Sequence, residues 1–164
     1  GVVHGTLAFL PHLRASGDGH VVNISSVFGL LGIPTQSAYN SAKFAVRGFT
    51  DALRTELDIE QCGVSATTIH PGGIRTNIAR NARFEFAEHE EAVDAAQAAV
   101  DFERITRTTP EKAARLILGA VRRNKRRALI GPDAHLFDAA ARISPRASQW
   151  ALGKLVARGS GALV

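Results

Sequence analysis

The 164-residue sequence contains no methionine, only one cysteine and no long apolar run. The single cysteine, Cys62, excludes a disulfide within the chain and makes a reducing, cytoplasmic setting the expectation. No apolar stretch reaches the length of about 20 residues that a membrane-spanning helix needs. Residues 1–10 lack the basic segment and the cleavage site of a signal peptide. Because methionine is absent, we expect a piece of a longer protein.

The composition fits one soluble globular domain, since 45% of the residues are hydrophobic and 21% are charged. The formal net charge is +5, and basic residues concentrate after Pro110. Such a segment can meet nucleic acid or an anionic membrane surface. We expect a solvated cationic face instead. The basic cluster at 122–127 lacks the aromatic residues that stack on bases, and it lies at a predicted helix end, where cations suit the dipole.

Apolar periodicity divides the chain into alternating helices and strands. It predicts helices over 2–14, 37–61, 110–123, 134–143 and 145–158. It predicts strands over 20–25, 64–69 and 127–130. We expect Pro11 to kink the first helix or end it soon after, and Gly63 to close the second as its C-cap. Three strands separated by helices imply right-handed crossovers and a parallel sheet.

Tyr39 and Lys43 stand four residues apart in the predicted second helix, so their side chains share one face. A neighbouring ammonium favours the ionised form of a phenol. The pair can therefore act as a general acid and base near neutral pH. The spacing alone also fits an ordinary amphipathic helix surface, and the surrounding sequence is what favours chemistry.

Two strand ends carry further candidate site residues. Ser26 follows the first strand and lies 13 residues before Tyr39. The second strand runs into the loop at 71–76, whose glycines let bare backbone approach a planar ligand. Ligands bind open parallel sheets beyond the carboxyl ends of the strands. We therefore predict that both strand ends and the helix face converge on one crevice.

These motifs resemble those of the short-chain dehydrogenases/reductases. The resemblance rests on Asn23-Ile24-Ser25-Ser26, Tyr39-x-x-x-Lys43 and Pro71-Gly72-x-x-x-Thr76, in this order and at the family's spacing. It covers residues 1–76 well and 110–131 loosely. It implies a Rossmann-like α/β fold, a doubly wound parallel sheet in three layers. It also implies a cofactor, NAD or NADP, and a small-molecule alcohol or ketone substrate.

The resemblance also implies a role for each matching residue. Ser26 would hydrogen-bond the substrate oxygen, and Tyr39 would transfer the proton. Lys43 would hold the nicotinamide ribose hydroxyls and favour the ionised form of Tyr39. The nicotinamide carboxamide would be held by the second loop, through Pro71, Gly72, Ile74 and Thr76. The cofactor exchanges hydride with the substrate carbon. No histidine has metal-ligand spacing with Cys62 or the carboxylates, so we expect no catalytic metal.

The sequence departs from the family at its start. The family begins with a strand, a glycine-rich phosphate loop and a helix, and this chain has no such segment. The family's catalytic asparagine and the residue that selects NAD or NADP are also missing. We therefore expect the C-terminal strands and helices of a longer enzyme. On their own, they should be inactive.

We interpret the chain as one partial domain. Residues 77–108 take the place of the family's substrate loop, and 132–164 form a basic helical tail. Apolar residues of the insert either line a pocket for a bulky, apolar substrate or pack beneath a surface helix. The tail is expected to pack on the body or on a partner subunit rather than lie on a membrane. The helix at 1–15 and the Tyr39 helix suit packing in a homo-oligomer.

Two other functional classes remain open at this stage. A truncated homologue without turnover would act as a binding module. A basic nucleic-acid module would rest on the charge of the tail alone, and we expect no nucleic-acid partner.

Overall fold

The computed structural model describes residues 1–34, 36–78 and 106–157. In these ranges the helices are α1 (Val2–Ser16), α2 (Ser37–Glu60), α3 (Pro110–Arg122), α4 (Pro132–Ile143) and α5 (Pro145–Ala157). The strands are β1 (Gly19–Ile24), β2 (Val64–Pro71) and β3 (Arg127–Ile130), and a 3₁₀ turn spans Val27–Gly29. Most of the predicted insert at 77–108 lies outside the described residues. None of the described helices is long and apolar enough to cross a bilayer.

The three strands form one parallel sheet in the order β1-β2-β3. Ile24 at the end of β1 pairs with Ile69 of β2, so the carboxyl ends of these strands lie side by side. The segments that follow them, which begin at Ser25 and at Gly72, therefore leave the same edge of the sheet. This confirms the predicted parallel α/β arrangement.

Helices cover both faces of the sheet, which gives the predicted three layers. On one face, α1 and α2 bury Leu10, Leu53 and Leu57 against β2. On the other face, α3 packs Ala113 and Ala120 against β2 and β3. β2 lies between two strands and is buried along almost its whole length, as a central parallel strand covered on both faces must be.

One predicted helix end lies two residues too early, and one predicted C-cap is wrong. α1 continues through Pro11 to Ser16, because Leu10 and Leu13 pack against the core on either side of the proline. The C-cap of α2 is Gln61 in the left-handed conformation, rather than Gly63. Gly63 serves a different purpose, since a Cβ there would clash with the carbonyl of Gly17.

Ion pairs join α2, β3 and α4. Asp138 of α4 accepts hydrogen bonds of 2.7 and 2.8 Å from Arg127, and one of 3.0 Å from Arg142. Asp58 of α2 pairs with Arg126. The prediction of a solvated cluster at 122–127 is therefore wrong for Arg127, whose side chain is 23% exposed, whereas the side chain of Arg126 is 57% exposed. Their partner carboxylates lie on helices distant in sequence.

Burial by itself would raise the pKa of Asp138, but the hydrogen bonds from Arg127 and Arg142 hold it below its ordinary value. We predict that Asp138→Ala lowers the free energy of unfolding by about 3 kcal/mol, because two guanidinium groups lose their partner. Denaturant unfolding measures the change. Glu60→Ala breaks the exposed pair with Arg14 and is the matched control, expected to leave the midpoint near that of the wild type. Equal midpoints for both variants would contradict the prediction.

Candidate active site

Ser26 is held from two sides at the carboxyl end of β1. It is the N-cap of the 3₁₀ turn, and its Oγ accepts a hydrogen bond of 3.2 Å from the backbone N–H of Phe28. Its own carbonyl accepts a hydrogen bond from Nδ1 of His70, at 2.9 Å. Ser26 is therefore nearly buried and fixed in position before any ligand arrives.

Tyr39 and Lys43 lie together on the first turns of α2. The Lys43 ammonium is 5.4 Å from the centroid of the Tyr39 ring, within the range of a cation–π contact. Lys43 Nζ also donates to the carbonyl of Ile24, at 3.2 Å. The Tyr39 ring is 42% exposed and meets the ring of Phe28 edge-on, with centroids 5.5 Å apart. Partial burial lowers the pKa of Lys43 below its ordinary value.

The turn after β1 and the α2 backbone pack in direct contact. The hydroxyl of Ser25 donates to the carbonyl of Lys43, at 2.8 Å. A Cβ at position 29 would clash with both of these groups, so only glycine fits there. The close packing sets where Tyr39 and Lys43 lie relative to the turn that begins at Ser26.

Asn40 is a positioning residue that the sequence analysis missed. Its Nδ2 donates to the carbonyl of Ile33, at 2.9 Å, and to the carbonyl of Gln36, at 2.6 Å. Its Oδ1 accepts a hydrogen bond of 3.1 Å from the N–H of Ile33. It thereby ties the loop before α2 to the turn that carries Tyr39. A usable signal was present, because asparagine is unfavourable inside a helix unless its side chain has such local partners.

The second loop is held by β3 and α4. The N–H of Gly72 donates to the carbonyl of Ile130, at 2.9 Å, and that of Gly73 donates to Asp133, at 2.5 Å. Sequence reasoning also missed Asp133, because an acidic residue in the first turn of a helix is common and carries no specific signal.

Further along this loop, Ile74 forms a parallel bridge with Thr108, and the N–H of Arg75 donates to the Thr108 carbonyl at 2.8 Å. Thr76 follows and is exposed to solvent. The structure thus places the second loop beside the end of β2, with contacts to two later segments of the chain. The roles predicted for its residues stay predictions.

His70 is fully buried beneath Ser26. Because a carbonyl can only accept, the ring nitrogen that bonds Ser26 carries the hydrogen, which leaves Nε2 as a bare acceptor. Within the described residues, Nε2 has no hydrogen-bond partner. Burial lowers the pKa of His70, which keeps the ring neutral. These contacts give His70 a structural role, because its ring holds the carbonyl of Ser26.

Comparison with known proteins follows this geometry. The family profile described as short chain dehydrogenase matches residues 1–86. The chain belongs to the short-chain dehydrogenase family. It is 48% identical over 161 residues to SadH of Mycobacterium tuberculosis, which is named as an oxidoreductase. The match covers 97% of this chain and 55% of SadH.

YxnA of Bacillus subtilis, also named as an oxidoreductase, is 36% identical, over 95% of this chain and 41% of YxnA. This chain thus spans about half the length of SadH and YxnA.

Solved structures confirm the predicted Rossmann-like fold. A short-chain dehydrogenase from Streptomyces avermitilis matches with a TM-score of 0.69 and 32% identity, over 94% of this chain and 57% of that one. A short-chain dehydrogenase/reductase from Burkholderia phymatum, in complex with NAD, matches with a TM-score of 0.68 and 27% identity. The match covers 86% of this chain and 52% of that one. One from Burkholderia cenocepacia, in complex with NADP, is 20% identical and supports the fold alone.

We predict that the protein loses stability as the pH falls from 7.5 to 5.5. The unfolded chain protonates His70 near the ordinary pKa of 6.5, whereas the folded state has a lower pKa. Below pH 6.5 the unfolded state therefore binds more protons, which lowers the free energy of unfolding by at most about 1.4 kcal/mol per pH unit for one group. His20, whose pKa burial also lowers, adds to the same trend.

Denaturant unfolding at a series of pH values measures this slope. His70→Asn should flatten it, and the exposed His12→Asn should leave it unchanged. A slope unaffected by His70→Asn would contradict the assignment.

Proposed function

We propose that this chain carries the proton-transfer groups of an NAD- or NADP-dependent oxidoreductase that interconverts an alcohol and a carbonyl compound. The observation that carries the proposal is the position of the Lys43 ammonium, 5.4 Å from the Tyr39 ring centroid and bonded to the Ile24 carbonyl. Membership of the short-chain dehydrogenase family and the oxidoreductase names of its relatives support the reaction class.

Tyr39 is the general acid and base. Its ring is partly exposed, and its hydroxyl has no hydrogen-bond partner within the described part of the chain, so a substrate can reach it. During oxidation Tyr39 accepts the proton of the alcohol, with the Lys43 ammonium lying beside its ring. In the reverse direction, the phenol returns that proton to the carbonyl oxygen.

Ser26 orients the substrate oxygen. A hydroxyl offers one donor and two acceptor positions. Because the Oγ already accepts from the Phe28 N–H, its own hydrogen is available to donate to the substrate oxygen. Donation to this oxygen places the reacting carbon close to Tyr39 and stabilises negative charge that develops on the oxygen.

The residues present fit a nicotinamide riboside group. Lys43 has three ammonium hydrogens and uses one on Ile24, which leaves two for ribose hydroxyls. The N–H of Gly72 is already bonded to Ile130, so Pro71 and Gly72 would contribute carbonyl oxygens to the carboxamide. Ile74, through its backbone, and Thr76 complete the set. When bound, the nicotinamide supplies or accepts the hydride.

An apolar substrate is supported by Phe28, whose ring borders Tyr39. Leu30, two residues further along the chain, is buried. We further propose a homo-oligomer that packs through α1 and α2, because these helices expose Leu7, Phe9 and Phe44. A cytoplasmic location stays part of this proposal. The single partial domain, with its substrate loop at 77–108 and tail at 132–164, stays part of this proposal.

Tyr39→Phe is expected to lower kcat/KM by about 10³-fold, because the hydroxyl that transfers the proton is removed. The assay follows absorbance of the reduced nicotinamide in the longer protein, with a panel of apolar ketones and both cofactors. Ser41→Ala, an exposed change on the same helix, is the matched control and should keep wild-type turnover. Activity of Tyr39→Phe within threefold of the control, with both variants folded, would exclude the assigned role.

Residues 1–164 alone are expected to show no turnover, because this sequence contains no glycine-rich loop for the cofactor phosphates. The same assay compares this chain with the longer protein. Robust turnover by the isolated chain would refute the expectation. Absence of turnover from the longer protein as well would favour a non-catalytic binding module.

A further inference from the structure

A cleft of about 280 Å³ lies between α2, β3 and α4, on the sheet face that α2 covers. Its walls are mainly arginine: Arg47, Arg54, Arg126, Arg127 and Arg142. None of the residues of the proposed nicotinamide site lines it. A cleft this rich in guanidinium groups raises the question of what balances their charge.

The carboxylates at the cleft do not balance the arginines. Asp51 is the acidic residue of the lining, and Asp58 and Asp138 pair with lining arginines from just behind it. Among the residues that the structure describes, five guanidinium groups thus face three carboxylates, which leaves an excess of two positive charges in a partly enclosed space. Such an excess attracts an anion of matching charge.

Two of the arginines leave most of their donors without a partner among the described residues 1–34, 36–78 and 106–157. The guanidinium of Arg47 makes one long hydrogen bond, 3.4 Å to the carbonyl of Gly29, and its Nε lies 3.6 Å from Asp51. Arg142 uses only its Nε, on Asp138, and its side chain is 60% exposed. By contrast, Arg127 is committed to Asp138 through both terminal nitrogens.

We propose that this cleft is a binding site for a phosphate-class dianion, held between Arg47 and Arg142. The planar guanidinium presents donors in a fork that matches phosphate oxygens. The two charges of the ligand match the two excess charges of the cleft. The committed arginines and their carboxylates form the rigid walls that hold the two open forks in place.

Arg47 connects the cleft to the elements that carry Ser26 and Lys43. Arg47 lies one turn after Lys43 on α2 and contacts the carbonyl of Gly29, in the turn that Ser26 begins. The charges of Arg127 and Arg47 also lower the pKa of His70, whose ring holds the carbonyl of Ser26, in addition to the larger effect of burial. A bound dianion would therefore be sensed at His70 without any contact with substrate. The proposal does not rest on turnover.

The test is isothermal titration of the intact protein with inorganic phosphate and with pyrophosphate, at fixed ionic strength. We expect saturable binding that weakens about tenfold or more in Arg47→Met and in Arg142→Met, because each removes charge-assisted hydrogen bonds. Arg122→Met and Arg123→Met, changes of exposed cations outside the cleft, are the matched controls and should bind as the wild type does.

Two further measurements separate the site from indirect effects. Arg47→Lys and Arg142→Lys keep the charge without the fork and should lose less affinity than the methionine variants. Phosphate should also shift the imidazole NMR signals of His70. Absence of saturable binding, loss in Arg47→Met alone, or equal loss in the control variants would overturn the proposal. Unfolding midpoints measured without phosphate verify that each variant is folded.

Discussion

The hydroxyl of Ser25 donates a hydrogen bond to the backbone carbonyl of Lys43. This bond requires glycine at position 29, because a Cβ there would clash with both groups. This contact sets the distance between the end of β1 and the first turns of α2. The bond from Lys43 to the Ile24 carbonyl uses the same close approach. A larger residue at position 29 would separate strand from helix. Tyr39 and Lys43 would then lie farther from the turn that Ser26 begins.

Near this contact, hydrogen bonds and ion pairs join the elements on the α2 face of the sheet. His70 holds the carbonyl of Ser26, and Thr68 reaches Asp51 at 3.2 Å. Asp138 gathers two arginines on the far side of the same region. Buried polar groups need partners, because desolvation is costly when they have none. Near this contact the α2 face is therefore specified by directional contacts in addition to its apolar core of leucines, whereas α3 covers the other face with small and branched apolar side chains.

Much of the fold could be predicted because its signals are local. β3 was predicted with its observed bounds. α3 begins at the predicted residue, Pro110, where Thr109 caps the helix by accepting a hydrogen bond from the N–H of Lys112. The errors came where distant segments meet. Gly63 looked like a helix cap, yet the close approach of Gly17 is what requires it. Arg127 looked solvated, because its acidic partner, Asp138, lies on another element.

For the candidate site, the sequence alone determined which residue types stand at the strand ends and on the helix, since spacing and periodicity are properties of the chain. It identified Ser26, Tyr39, Lys43 and the loop at 71–76 as candidates. Only the tertiary structure decided what supports them. Asp133 reaches Gly73 across 60 residues, and His70 reaches Ser26 across 44. Such contacts depend on how β2, β3 and α4 pack, and no local pattern encodes that packing.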